Sequence, residues 1–150
     1  MAVKLTEKVV ADLVRLFLEN KTNGNWHPEK TKQTELHEHG PDLVMIGGKR
    51  NSERFIIECK GKSYAKSAKQ INSEGWLNAL GQLITRMDVA RMDKSGRINR
   101  AYKYGLGLPK QGAEVALRRI PHKIARTLNL YIFAVSDNCA IKMYTPKDFR

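Results

Sequence analysis

Along the first twenty residues, apolar side chains return at helical spacing. Val3, Val10, Leu13, Val14 and Phe17 share one stripe with Glu7, while Lys4, Lys8, Asp12 and Arg15 turn away from it. Thr6 stands where a cap or first-turn residue belongs, and Asn23-Gly24 marks the end of the segment. A polar stretch from Trp26 to His39 follows, with room for a short edge strand. Two apolar runs then lie close together: Leu43-Val44-Met45-Ile46 after Gly40-Pro41-Asp42, and Phe55-Ile56-Ile57 before Glu58-Cys59-Lys60-Gly61. Both runs are continuous rather than alternating, the pattern of strands covered on both faces. Gly47-Gly48 and Asn51-Ser52 supply the turn between them, so the pair reads as a hairpin inside a sheet.

Further on, Asn72 or Ser73 can cap a helix running to about Asp93, with Trp76, Leu77, Leu80, Leu83, Ile84 and Met87 as its apolar face and Gly96 beyond it. Tyr102 to Leu108 reads as a strand that stops at Pro109. Residues 113–128 are helical in pattern, and Pro121 divides them into two short helices. Leu130 to Val135 is a buried strand, Asp137-Asn138 a tight turn, and Ala140 to Tyr144 a last strand. No internal repeat or low-complexity linker interrupts this order. It predicts one α/β domain over residues 1–150, a mixed sheet flanked by helices in the order α-β-β-β-α-β with an α-β-β extension.

Composition narrows the setting. A length of 150 residues suits one hydrophobic core, and 41% hydrophobic with 28% charged residues excludes a disordered or collagen-like chain. No apolar run is long enough to span a bilayer as a helix, and the first residues lack the pattern of a secretory leader. Cys59 and Cys139 cannot build a disulfide framework or a four-ligand zinc site by themselves. A cytoplasmic location is the expectation. The formal net charge is +12. Residues 1–58 carry nine basic and nine acidic side chains, and residues 59–150 carry eighteen and six, so the whole excess lies in the second part. A one-sided surplus of this size points to a polyanionic partner, most often nucleic acid.

Spacing brings the candidate chemistry together. Side chains two apart on a strand share a face, so Glu58 and Lys60 point the same way. A hairpin centred near residue 50 sets Asp42 opposite Glu58, and one centred near 51 sets it opposite Lys60. Either register gathers Asp42, Glu58 and Lys60 on one face at the open end of the hairpin. Two neighbouring carboxylates at the end of apolar strands repel and are costly to desolvate unless something compensates. A hard divalent cation does so, since Mg²⁺ (or Mn²⁺) takes one or two carboxylates and leaves positions for water and phosphate. A lysine beside it can orient or deprotonate water or shield phosphate charge.

Gly40-Pro41-Asp42, a fifteen-residue gap and then Glu58-Cys59-Lys60, within this order of elements, resembles the PD-(D/E)xK superfamily of restriction-endonuclease-like nucleases. The resemblance covers roughly residues 3–108. It implies a metal-dependent nuclease acting on DNA, with RNA as a further substrate class. Asp42 and Glu58 would bind metal, the backbone carbonyl of Cys59 would add a ligand, and Lys60 would assist catalysis. Many members of the superfamily add an acid from the first helix, for which Glu7 is the first choice and Glu19 the second. Gly81-Gln82-Leu83 resembles the glutamine motif of the RecB-like branch, although Arg86 stands where that branch has tyrosine. Gly40-Pro41-Asp42-Leu43-Val44 is also similar to the virus-type replication-repair nucleases, whose later glutamine would be Gln70 or Gln82.

Lys62, Lys66 and Lys69 follow the catalytic strand without an intervening acid, and Arg118, Arg119, Lys123 and Arg126 fit an exposed side of the Pro-divided helices. Both groups are candidate phosphate-backbone binders. Trp26, Tyr102 and Tyr104 read as packing residues before base-stacking ones, and His37 and His39 as a solvated pair. Self-pairing or a partner protein would extend the limited reach of so small a chain. The rival from another class is a subunit that keeps the fold for nucleic-acid docking or assembly without turnover. Such a subunit would have no need of the Asp42, Glu58 and Lys60 set.

Overall fold

The structure, a computed structural model, describes residues 3–29, 42–48, 51–62, 68–87 and 99–150, with 68–74 described by backbone alone. Thr6 opens α1 (Glu7–Glu19), its hydroxyl accepting a hydrogen bond from the Val9 N–H at 3.2 Å. The spacing Val10, Val14, Leu18 puts three fully buried side chains on one stripe, each contributing about 1.5–3 kcal/mol of burial. Leu5 joins them from just before the helix. Asn20 ends α1, and Gly24 at φ 109° completes the turn that brings Trp26 back against the core.

Six strands lie side by side in sequence order: β1 (His27–Pro28), β2 (Leu43–Gly47), β3 (Glu53–Cys59), β4 (Tyr102–Pro109), β5 (Leu130–Val135) and β6 (Ile141–Tyr144). The outer pairings β1/β2, β2/β3 and β5/β6 are antiparallel, and the central ones, β3/β4 and β4/β5, are parallel. Parallel neighbours require a crossover connection. Here α2 (Ala68–Thr85) joins β3 to β4, while α3 (Lys110–Arg119) and α4 (His122–Leu128) join β4 to β5. The result is a mixed α/β architecture with one sheet and four α-helices among the described residues. Leu43 lies opposite Ile57 and Gly47 opposite Glu53, which centres the hairpin on residue 50, the first of the two candidate registers.

The sheet divides the core by parity. Ile56, Tyr104, Leu106, Leu108, Leu130, Ile132 and Ala134 pack under α2, α3 and α4. Phe55, Ile57, Cys59, Phe133 and Val135 pack with α1 on the other face, where Trp26, Phe55 and Phe133 meet ring to ring. Gly107 lets α1 come close: a Cβ there would lie 2.7 Å from Cys59 Sγ and 3.2 Å from Val14 Cγ2.

Several boundaries differ from the sequence reading. The buried stripe of α1 is rotated away from Val3, which is 46% exposed, because the chain before Thr6 is not helical. The second helix begins at Ala68 rather than at Asn72 or Ser73 and ends at Thr85. Its proposed tail to Asp93 runs into residues 88–98, which lie outside the described residues. The buried face of α2 is narrower than expected: Trp76, Ala79 and Leu83 are buried, whereas Leu77 and Ile84 are about half exposed. A helix packed by one side onto a sheet buries one stripe only. The third helix starts at Lys110, three residues early, because Pro109 closes β4 with a φ already suited to a helix entry. Pro121 divides α3 from α4 as anticipated. Trp26 and Tyr104 are core residues.

Candidate active site

The site forms where β3 ends. Asp42 precedes β2 and, by the hairpin register, lies beside Glu58 near the end of β3. Its Oδ2 accepts a hydrogen bond from the Cys59 N–H at 2.7 Å, so the strand terminus itself fixes the carboxylate. Glu58 sits on the α2 side of the sheet, and its side chain is 3% exposed. Arg86, one residue beyond α2, donates from Nε to Glu58 Oε1 at 3.0 Å.

Lys60 is the first residue past β3, its N–H still bonded to the Gly107 carbonyl at 2.9 Å. The chain then passes against the start of α1. Lys62 N–H donates to the Leu5 carbonyl at 2.7 Å, and a Cβ on Gly61 would fall 2.4 Å from the Glu7 nitrogen. Only glycine permits this approach, and it brings Lys60 Nζ to 3.8 Å from Glu7 Oε2. Glu7 therefore joins the group from the first turn of α1, a position that also suits an acid through the helix dipole.

Electrostatics register the crowding. Burial drives the Glu58 carboxyl up to about 7, and the Asp42 carboxylate adds to the rise by its charge and by a hydrogen bond. The Arg86 guanidinium opposes both without cancelling them. Glu7 is also raised, first by partial burial and then by Asp42, with Lys60 pulling the other way. The Cys59 thiol, fully buried, is pushed well up by burial and then by the charges of Asp42, Glu58 and Glu7, which leaves it an inert packing residue.

Other candidates fall elsewhere. Gln82 is exposed on α2, and its recorded bond is a backbone one, its carbonyl accepting from Thr85 Oγ1 at 2.6 Å. Glu19 pairs with Arg15 at 2.5 Å at the far end of α1. Lys62 is held by Asp137 at 3.0 Å. Lys69 lies at the start of α2, as does Gln70, whereas Lys66, His37 and His39 lie outside the described residues. Arg118, Arg119, Lys123 and Arg126 are exposed, but they belong to the last turn of α3 and to α4. The last turn of α3 is roughly 12 Å along the axis from the helix start beside β3 and β4. Sequence reasoning missed Arg86 as the partner of Glu58. The signal was present: Ala79, Leu83 and Arg86 continue the buried stripe of α2 at helical spacing, and a charge there needs a buried counterpart.

Asp42 and Glu58 supply the oxygen donors suited to a hard divalent cation, and a shared positive charge would relieve the strain that raises Glu58. Among the described residues no three His, Cys, Asp or Glu side chains are grouped to hold a metal ion, and no helix is long and apolar enough to cross a membrane. Comparison of the chain with protein-family models, curated proteins and solved structures returns no match.

Proposed function

We propose that this chain is a metal-dependent nuclease of the PD-(D/E)xK type that hydrolyses phosphodiester bonds in DNA, built on a restriction-endonuclease-like core. The observation that carries the reading is the crowding of Asp42 against Glu58 at the end of one buried strand, with Lys60 just past that end beside Glu7. Two carboxylates forced together there make a poor structural device and a good cation site. Asp42 and Glu58 would hold Mg²⁺ or Mn²⁺, with the Cys59 carbonyl as an added ligand. The bound ion would acidify water and neutralise phosphate charge. Lys60, held near Glu7 without a tight ion pair, is free to orient the attacking water or to meet phosphate charge. Arg86 keeps the Glu58 carboxylate in place from the helix side. The basic excess after residue 58 supports a polyanionic substrate.

The test is a panel of linear, nicked, single-stranded and four-way-junction DNAs incubated with the protein and Mn²⁺. Cleavage that chelation abolishes is expected. Asp42→Ala and Lys60→Ala should each reduce it by roughly 10²-fold or more while the fold survives. Metal-indifferent, salt-sensitive binding that Asp42→Ala leaves unchanged would instead favour a docking subunit without turnover.

A further inference from the structure

With Lys60 in its wall, a narrow cleft opens between the exit of β3, α2 and the start of α3. Lys60, Gly61, Lys62, Trp76, Pro109 and Gly112 are among its walls, and it has about 10 Å³ of enclosed room, enough for one oxygen-sized group. We infer that this cleft is a phosphate subsite, which takes a non-bridging oxygen of a nucleic-acid phosphodiester next to the one cleaved. The identity of the ligand rests on the nuclease reading; the anion preference does not.

Three observations converge. First, α3 is a ten-residue helix that begins at the cleft with no acceptor on its first amides. Its N-cap is Pro109, which has no capping side chain, and no acid occupies the first turn. Free amides and the helix dipole favour an anion at such an end. Second, Trp76 is 93% buried (7% exposed), and its indole Nε1 has no hydrogen-bond partner. A buried N–H left unpaired is costly, and Trp76 is one of the residues that line the cleft. Third, Gly75 and Gly112 both line the cleft within helices, and a Cβ on either would meet nothing within 4 Å. Glycine is a poor helix residue, so its use at two helical positions around one opening leaves room that alanine would fill. The charge agrees: Lys60 and Lys62 border the opening, though Lys62 also pairs with Asp137.

The chain has two tryptophans, so its indole N–H signals report the cleft through Trp76 and carry their own control in Trp26. With ¹⁵N-labelled protein free of divalent metal, titration with hexathymidylate should shift the Trp76 indole signal and leave Trp26 in place. Inorganic phosphate should do the same only at tenfold or higher concentration, and thymidine should have no effect. Gly112→Ala and Gly75→Ala should each weaken the hexathymidylate response at least tenfold, with unchanged or higher melting temperatures.

A Trp76 signal that neither phosphate nor hexathymidylate moves would overturn the proposal, as would undiminished responses in both alanine variants. Inorganic phosphate binding as tightly as hexathymidylate would overturn the diester assignment. The two readings also separate. Mn²⁺-dependent cleavage with an unmoved Trp76 signal removes the subsite alone; a moved signal in a chain that cleaves nothing supports the subsite without the catalysis.

Discussion

Glu58 and Asn129 are both buried, at opposite ends of the parallel strands, and they are buried differently. Asn129 stands between α4 and β5 with φ 52°, a left-handed conformation that asparagine tolerates better than most residues. Its Nδ2 donates to the Tyr102 carbonyl at 3.1 Å, and its own carbonyl accepts from the Tyr104 N–H at 3.2 Å. Its side-chain amide and its main-chain carbonyl both tie the start of β5 to β4. Glu58, at the other end, has one cation and one competing carboxylate as neighbours, and its ionised form is disfavoured in spite of Arg86. Asn129, buried for structure, is satisfied by backbone. A polar group buried with its charge unsettled is a candidate ligand site.

The largest effect expected from this contrast is on stability against pH. Glu58 has its carboxyl raised from 4.5 to about 7 in the folded chain. Below pH 4.5 both folded and unfolded forms hold the proton, and the group costs nothing. As pH rises from 4.5 toward 7, the unfolded chain releases the proton while the folded chain retains it, so stability falls. The loss levels off above pH 7 at about 3 kcal/mol, from roughly 2.5 pH units at 1.36 kcal/mol each. Glu58→Gln should therefore match the wild type at pH 4 and exceed it by about that amount at pH 8 in urea unfolding. Millimolar Mn²⁺ should raise the melting temperature of the wild type and not of the variant. A variant less stable than the wild type at pH 8 would mean that the Arg86 pair outweighs burial, and the contrast with Asn129 would fail.

Asn129 provides the opposite case with a smaller effect. Asn129→Ala removes a buried hydrogen bond and forces alanine into the left-handed region, a loss of about 2–3 kcal/mol. Asn129→Gly keeps the backbone comfortable and should lose about half as much. Neither variant should change cleavage per folded molecule or the pH dependence of stability. Equal losses for alanine and glycine would show that the side-chain bond carries the whole effect and the backbone none.

The same contrast explains what could be read before the fold was known. That Asp42 lies beside Glu58 was legible because strand parity is a period of two and one of the two candidate hairpin registers pairs them. Glu7 was legible as an acid near an apolar stripe. Its nearness to Lys60 was not, because that depends on Gly61 pressing against the backbone of residues 5–7. Arg86 follows Ala79 and Leu83 at helical spacing, so its side was legible; its partner was not, because α2 ends at Thr85 and the residue after it turns onto Glu58. Asn129 shows no pattern at all, since a left-handed cap depends on how α4 meets β5. The charge surplus pointed to a partner but not to a position on the fold. Arg118, Arg119, Lys123 and Arg126 lie on the last turn of α3 and on α4, away from the start of α3.

Gln82 gives the finest cut. By resemblance it belongs to the catalytic set, yet it lies on the exposed side of α2 while Arg86, four residues on, reaches Glu58. Gln82 is still within α2, whereas Arg86 follows its last residue, Thr85, and is no longer held to the helical direction. The helix end thus separates a side chain in solvent from one on a buried carboxylate. Gln82→Ala should then leave stability within about 0.5 kcal/mol and cleavage within about twofold of the wild type, measured with Mn²⁺ on the DNA substrate cut fastest. A tenfold loss of cleavage with stability unchanged would mean that Gln82 reaches the substrate. The polar groups of the site would then extend beyond the buried carboxylates onto the open face of α2, and burial would no longer be the feature that sets Glu58 apart.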